Sequence, residues 1–504
     1  MSSARTGETP GTSPGRDAAD PHRWWGLVII ALAQLMVVLD ATIVNIALPS
    51  AQRALGMSDG NRQWVITAYT LAFGGLLLLG GRIADLVGRK RTFVVGLAGF
   101  AVASAFGGAA QTPGMLFGAR ALQGVFAAVL APSALSLLTT TFTDPRERGK
   151  AFGVYGALAG SGSAIGFVVG GLLTEYLNWR WCLYVNVPIA VLAVFGASAL
   201  LRDRPGHTGA RLDVPGALLG CGGLVAIVYG FSEAEPRGWV DPLVLGPFAA
   251  GVVLIAGFVW WQNRAPSPLL PPHIVRDRNR AGCFLTMALA TIALFGLFLF
   301  LTYYLQVVLG YSPVRAGLGF LPLTLAIITG STQISARLLY RVAPRLLMVP
   351  GMLLAACGLL LLTRMTVSSS YPTEILPALV LIGLGMGLTF MPVFATATAG
   401  VAPHDSGVTS ATVNTSQQVG GSIGTALLNT IATSSSAAYL AAHLHSPAQR
   451  AAVVPESVVH GYTTAIWWAT GIMLLAGLSA ALLVTAKPPK QDAATPAPVA
   501  EPVR

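Results

Sequence analysis

Apolar runs of about 20 residues, the length a helix needs to cross bilayer hydrocarbon, recur throughout this 504-residue chain. They start near Trp24 and fall at 24–48, 63–81, 92–110, 115–140, 151–175, 181–201, 214–234, 243–262, 282–308, 315–338, 345–364, 374–399, 409–433 and 463–485. The spacing predicts an all-α membrane protein with fourteen transmembrane helices. Charge supports this: 10% of residues are charged and 54% apolar, against roughly 25% charged in an ordinary soluble domain. So few charges cannot solvate the surface of a water-soluble enzyme.

The stretch 1–22 is polar, rich in Pro, Gly and Ser, and lacks the apolar core of a signal peptide. It reads as a disordered cytoplasmic tail, as does 487–504. The formal charge is 31 basic minus 20 acidic residues, or +11, and topology explains it. With the N-terminus inside, 23 Lys and Arg fall on the inner side, seven on the outer side, and Arg120 within a span. That bias predicts a cytoplasmic-membrane protein with both termini inside and an even span count, and leaves no reason to invoke nucleic acid. The four cysteines (Cys182, Cys221, Cys283, Cys357) lie in apolar runs with no CxxC pair and read as small packing residues. The bias to Arg over Lys, with the Ala and Gly richness, hints at a G+C-rich bacterial genome.

The chain repeats itself. Pro145-Arg-Glu147-Arg-Gly149 and Pro403-His-Asp405-Ser-Gly407 stand 258 residues apart, and the same offset superimposes Gly162, Ile165 and Gly166 on Gly420, Ile423 and Gly424. Spans five and thirteen are then copies. The expected organisation is two six-helix halves, 24–201 and 282–485, with a helix pair at 214–262 inserted between them. Parallel repeats moving about a central site are the architecture of a rocking secondary transporter.

Several motifs carry chemistry. Between spans two and three stands Gly81-Arg-Ile-Ala-Asp85-Leu-Val-Gly88-Arg89-Lys90-Arg91, an acid near a helix end followed by cations, with Gly88 suited to a tight turn. Span one contains Leu39-Asp40-Ala-Thr42-Ile-Val-Asn45-Ile-Ala-Leu-Pro49. Holding Asp40 ionised in lipid would cost at least about 2.5–3.5 kcal/mol, so it should face a cavity or carry a proton. Span four has Arg120-Ala-Leu-Gln123-Gly124; a buried Arg stays charged and favours the ionised form of a nearby carboxyl. Aligning Pro132 with Pro392 sets Val380 opposite Arg120, an asymmetry that packing alone does not require. In span five Gly162, Gly166, Gly170 and Gly171 belong to a run of small residues that admits close helix approach, expected across the interface between halves. Span thirteen opens with Asn414, Gln417 and Gln418, amides able to bond a substrate or a partner helix.

Together these motifs resemble the major facilitator superfamily, and specifically its fourteen-span drug:proton antiporter branch. The loop at 81–91 is similar to the superfamily signature, which implies a cytoplasmic charge latch (Gly81, Asp85, Gly88, Arg89, Lys90, Arg91). The Asp40 run is similar to the branch's Leu-Asp-x-Thr-Ile-Val-Asn-x-Ala-Leu-Pro signature, and Arg120-x-x-Gln123-Gly124 to a motif implicated in proton transfer. The resemblance thus implies proton coupling by Asp40, Arg120 and Gln123. Trp179-Arg-Trp-Cys-Leu-Tyr184-Val-Asn186-Val-Pro188 resembles the branch's junction between spans five and six. One departure stands out. Where the family's antiporter motif has Gly-Pro, this chain reads Gly166-Phe167, which puts the bend, and strict coupling with it, in doubt. Another is Gln417, where related transporters often carry Arg.

The resemblance implies a transporter, not an enzyme. It would export a lipophilic neutral or monocationic drug, antibiotic or secondary metabolite by alternating access as a monomer in the lipid bilayer, driven by the proton gradient without a cofactor. Asn45, Asn414, Gln417 and Gln418 are candidate substrate contacts. Asp40 as the one carboxylate well inside a span argues against dications. No phosphate-binding loop occurs, and His443, His445 and His460 read as solvated outer-loop residues, not a metal site. The Glu-x-x-Glu-Arg signature of proton-coupled peptide importers is absent from span one. An uncoupled facilitator and a non-transporting membrane scaffold or sensor of the same fold are the alternatives.

Overall fold

The structure, a computed structural model, describes residues 23–142, 144–201, 212–402 and 405–488. Both tails, apart from residues 487 and 488, lie outside the described residues, as do Arg5, Arg16, Arg202, Arg204, Arg211, Lys490 and Arg504 of the topology count. The repeat's Pro403 and the side chains of Pro145, Arg146 and Gly149 lie outside them too.

Among the described residues all regular structure is helical. The first group comprises α1 (Arg23–Leu55), α2 (Trp64–Val87), α3 (Arg89–Gly108), α4 (Pro113–Thr141), α5 (Pro145–Tyr176), α6 (Trp181–Tyr184) and α7 (Asn186–Leu200). Then come α8 (Val214–Arg237) and α9 (Pro242–Gln262), followed by the short α10 (Pro272–Arg276). The last group is α11 (Arg278–Tyr303), α12 (Pro313–Gly319), α13 (Leu321–Thr329), α14 (Ala336–Leu338), α15 (Arg345–Leu362), α16 (Leu376–Thr398), α17 (Ser406–His443) and α18 (Arg450–Leu483). Starts follow ordinary capping chemistry: Thr112, Asp213, Asp241 and Asp277 each accept a bond from a first-turn N–H, and Pro follows three of them.

Twelve helices or helix runs among the described residues are long and apolar enough to span a membrane. Long α17, 38 residues, is not one of them; Ser, Thr, Asn and Gln fill it, and it packs between other helices. The run 315–338 is not one helix but α12, α13, a π turn at Gly330–Ser335 and α14. A second correction concerns the outer loop expected before the last span. It is largely helix, with His443 ending α17 and His460 inside α18.

Apolar side chains face outward, as lipid requires: Val102, Phe195, Leu218 and Val253 are all about 70% exposed. Inside, Met36, Phe93, Phe100 and Phe142 form a core of the first group. A larger core crosses between groups, joining Ile43 and Phe167 to Phe300, Tyr304 and Phe320. The pair α8–α9 sits against the seam of α2 and α17, where Leu71, Val228 and Ala426 pack together. Two bonds tie it there, Trp64 Nε1 to Ser232 Oγ at 2.9 Å and Thr430 Oγ1 to the Phe231 carbonyl at 2.8 Å.

Candidate functional site

Asp40 lies in the middle of α1, fully buried. Its Oδ2 takes an ion pair from Arg120 Nη1 on α4 at 2.6 Å. Its Oδ1 accepts two amide bonds, from Gln123 Nε2 at 2.9 Å and from Asn186 Nδ2, at the start of α7, at 2.7 Å. Helical spacing explains the α4 contribution, because residues three apart share a face, so Arg120 and Gln123 reach the same carboxyl. Gln123 is held on both sides: Nε2 also donates to Ser104 Oγ at 2.7 Å, and Oε1 accepts from Arg120 Nη1 at 2.7 Å.

Arg120 is held by its surroundings as well. Its Nε donates to the Val65 carbonyl at 2.9 Å, and its Cζ stands 4.4 Å from the centre of the Tyr69 ring, within cation–π range. The arrangement is a closed one. Instead of facing a cavity, Asp40 is compensated by a buried cation and by donors only, the condition under which a charge is tolerated away from water. Two buried atoms nearby have no partner, the Tyr69 hydroxyl and Asn186 Oδ1. Sequence reasoning brought Asp40, Arg120 and Gln123 together, but missed Ser104, Tyr69 and Asn186. For Asn186 a signal existed, an amide at the interrupted junction 179–188.

The other candidates separate. Asn45 Nδ2 bonds back to the Ala41 carbonyl at 2.9 Å, and Asn414 Nδ2 to the Ser410 carbonyl at 3.2 Å, so both amides are engaged by their own helices. Gln417 and Gln418 lie on α17, half-buried, and Gln418 meets Gly74 of α2, whose carbonyl accepts from Thr415 Oγ1 at 3.2 Å.

The glycines need correcting. A Cβ on Gly162 would stand 2.8 Å from Val38, one on Gly166 would collide with Thr42, and one on Gly170 would stand 2.9 Å from the Ile43 carbonyl. This stripe faces α1, within the first group. Gly171, one residue round the helix, is the one that meets the last group: a Cβ there would stand 2.7 Å from Val314 Cα. Four-residue spacing keeps three glycines on one face, and α1 occupies that face. Gly420 and Gly424 press likewise on α11, at Ala288 and Ile292.

The 81–91 stretch is helix on either side of Gly88, which alone separates α2 from α3 with φ 105°, a conformation that favours glycine; a Cβ on Gly81 would touch Pro132. Asp85 pairs with Arg89 at 3.7 Å, Lys90 donates to the Ser198 carbonyl at 2.8 Å, and Arg91 has partners of its own.

A second polar cluster, unforeseen from the sequence, joins the groups at the opposite end of the bundle. Arg62, in the loop after α1, is 4% exposed. It pairs with Asp59 at 3.1 Å, donates to Asn429 Oδ1 on α17 and to the Tyr462 hydroxyl on α18, both at 3.4 Å, and lies 3.9 Å from the Tyr303 ring of α11. Burial alone would lower its pKa, but the neighbouring phenols and Asp59 raise it above the ordinary value. Nearby, Glu175 accepts from the Val314 N–H at 2.9 Å, and Phe167 stacks on Phe320 at 4.6 Å.

The description Major Facilitator Superfamily belongs to the family model that matches residues 30–425. This chain belongs to the major facilitator superfamily. It is a transporter and not an enzyme, a multi-pass membrane protein of a superfamily that generally works without a cofactor. Over 485 residues it is 58% identical to the puromycin resistance protein of Streptomyces alboniger, covering 96% of this chain and 95% of that protein. It is 40% identical to the cephamycin export protein of Amycolatopsis lactamdurans, over 87% and 90% of the two chains. Among solved structures, a bacterial homologue of the human lysosomal transporter Spinster, in an inward-facing and occupied conformation, matches with a TM-score of 0.64. Identity there is 16%, over 92% of this chain and 97% of that one, a likeness of fold. Among the described residues no cluster of three or more His, Cys, Asp or Glu could hold a metal ion. His443 and His460 flank the Tyr439 ring instead.

Proposed function

We propose that this transporter exports a lipophilic neutral or monocationic antibiotic across the cytoplasmic membrane in exchange for a proton, by alternating access and as a monomer. Asp40 is the proton carrier, and Arg120 and Gln123 set its charge state. In this reading both termini are cytoplasmic, α5 and α17 complete fourteen spans, and 24–201 and 282–485 are the two moving halves around the inserted pair 214–262. The shared use of glycines, Gly162 and Gly166 on α1 and Gly420 and Gly424 on α11, supports the repeat.

One observation carries the proposal: a fully buried carboxylate held by one guanidinium and two amides. Its partners only donate, matching the acceptor oxygens of a carboxylate; a proton reaching Asp40 cancels the ion pair and releases Arg120 from it. The Arg62 clasp and the Phe167–Phe320 contact then belong to a state closed towards the outside. In the same state Asp85 and Lys90 of the 81–91 latch are engaged within the first group, while Arg82 donates to the Pro268 carbonyl at 3.4 Å, outside it. Gln417 and Gln418 are better placed than Asn45 and Asn414 to meet substrate. Names of similar proteins supply the substrate class, since they include resistance and export proteins for puromycin, cephamycin and tetracenomycin C.

The driving force suffices. One charge through 100 mV is worth about 2.3 kcal/mol, and one pH unit adds about 1.36. Their sum of roughly 3.7 kcal/mol holds a neutral substrate at a gradient of several hundredfold.

The test uses purified protein in weakly buffered detergent solution. Adding puromycin, and in parallel the other two antibiotics, should release protons from the wild type and none from Asp40→Asn, and Asp40→Asn should lose uphill efflux in vesicles. Full proton-driven efflux by Asp40→Asn would refute the assignment. Phe167 in place of the family's proline favours one rival, an uncoupled facilitator, for which efflux would be indifferent to acidification.

A further inference from the structure

The second amide on Asp40 has a feature that a simple donor does not need. Asn186 is fully buried at the break between α6 and α7, and while its Nδ2 donates to Asp40 Oδ1, its Oδ1 has no partner. A buried carbonyl left unpaired carries a desolvation penalty, so the ionised state of the site holds an unmet acceptor beside the acid. The other two partners cannot supply one. Arg120 has donors only, and the Gln123 carboxamide is locked, its Oε1 taken by Arg120 and its Nε2 shared with Ser104.

We propose that Asn186 is a two-way partner that holds Asp40 in both protonation states, a positioning residue for the coupling reaction; this rests on the proton-antiport reading above. With the carboxylate, Nδ2 donates, as in the structure. When a proton from water binds Asp40 Oδ1, the O–H bond formed there becomes the donor, and the amide turns about its Cβ–Cγ bond so that Asn186 Oδ1 accepts it. The Nδ2 bond breaks in the same motion, and the proton stays on Asp40 throughout. A carboxamide presents donor and acceptor in nearly the same shape, so the turn needs no change in packing. The carbonyl unpaired in the ionised state is thereby paired in the neutral one, while Nδ2 gives up its bond to Asp40 and takes the unpaired place.

Charged and titratable groups near Asp40 come from several elements. Arg120 faces it from α4, with the Tyr69 ring of α2 against the guanidinium, and Cys182 lies on α6. On the remaining sides α5 meets α1 with glycines, α7 with Asn186, and the turn after α11 with Gln306, whose Nε2 donates to the Ile46 carbonyl at 2.9 Å. None of these three is titratable.

The test is infrared difference spectroscopy, acid minus neutral, on full-length protein in lipid nanodiscs with isotope-labelled asparagine. Wild type should show a carboxylic-acid band that vanishes in Asp40→Asn. A labelled amide band should change with the same midpoint, and be missing from both Asp40→Asn and Asn186→Gln. In Asn186→Leu, similar in shape and without polar atoms, the acid band should move to higher frequency. Its midpoint should stay within about one pH unit of wild type, because donor and acceptor are removed together.

A fixed donor predicts otherwise. Its loss destabilises the carboxylate alone, raising the midpoint by about 1–2 pH units with the amide bands silent; that result would overturn the proposal. The labelled wild-type spectrum decides the matter even if Asn186→Leu does not fold, since a silent amide beside a titrating acid is also a refutation. Absence of any acid band in wild type would instead sink the antiport reading on which the proposal stands.

Discussion

Removing the Arg62 side chain should open the end of the bundle that it closes. Arg62→Ala breaks the bonds between groups to Asn429 and Tyr462, both 3.4 Å, and uncovers the Tyr303 face 3.9 Å away. Bonds of that length are weaker than a charge-assisted bond of ordinary length and are worth about 0.5–1 kcal/mol each. A desolvated cation–π contact adds about 2. Rehydration of the guanidinium on opening offsets part of this, leaving about 2–3 kcal/mol in favour of the closed end. The Asp59 pair does not count, because it lies within one group and Asp59 is 67% exposed. A bias of 2–3 kcal/mol is a factor of roughly 30–150 in the open-to-closed ratio. Spin labels at Tyr176→Cys, ending α5, and Ser368→Cys, after α15, in a background lacking the four native cysteines, would read that ratio by electron–electron distance measurement. Arg62→Ala should gain a longer-distance population, and Arg62→Lys, charged but without the fork, a smaller one. Distance distributions identical to wild type in both variants would show that the clasp carries no bias.

Two further outcomes follow from packing and capping. Gly166→Ala places a methyl on Thr42, and overpacking of this kind costs about 1–3 kcal/mol. Thermal denaturation should drop clearly for it and be unchanged or raised for Gly114→Ala, which has open space around it; equal behaviour of the two would contradict the α1–α5 contact. For Asp213, which caps α8, burial alone would raise the pKa. The donors Trp261 Nε1, Gln262 Nε2 and the Gly216 N–H outweigh it and hold the carboxyl below its ordinary value. A lowered folded value means the stabilisation is fully present above about pH 4, the unfolded value, and is lost as pH falls through the folded one. Asp213→Asn should therefore melt lower than wild type at neutral pH, with the gap closing on acidification below about pH 4; a gap independent of pH would be the contrary result.

Apolar runs and the scarcity of charge determined, from sequence, that the chain is a helical membrane protein, because backbone in lipid must satisfy its own hydrogen bonds. Local spacing also made Arg120 and Gln123 one unit, and marked Asp40 as a charge needing compensation. Tertiary structure decided the rest. That Arg120 is the compensating cation joins residues 80 apart, and that Asn186 closes the other side joins residues 146 apart. The direction of the glycine stripe, onto α1 and not across the seam, depends on which neighbour occupies that face. Arg62 shows the limit most plainly: beside a loop it reads as an ordinary solvated cation, and its partners Asn429 and Tyr462 come 367 and 400 residues later. Helical periodicity fixes which side chains share a face, but only the packing of distant helices sets what that face meets.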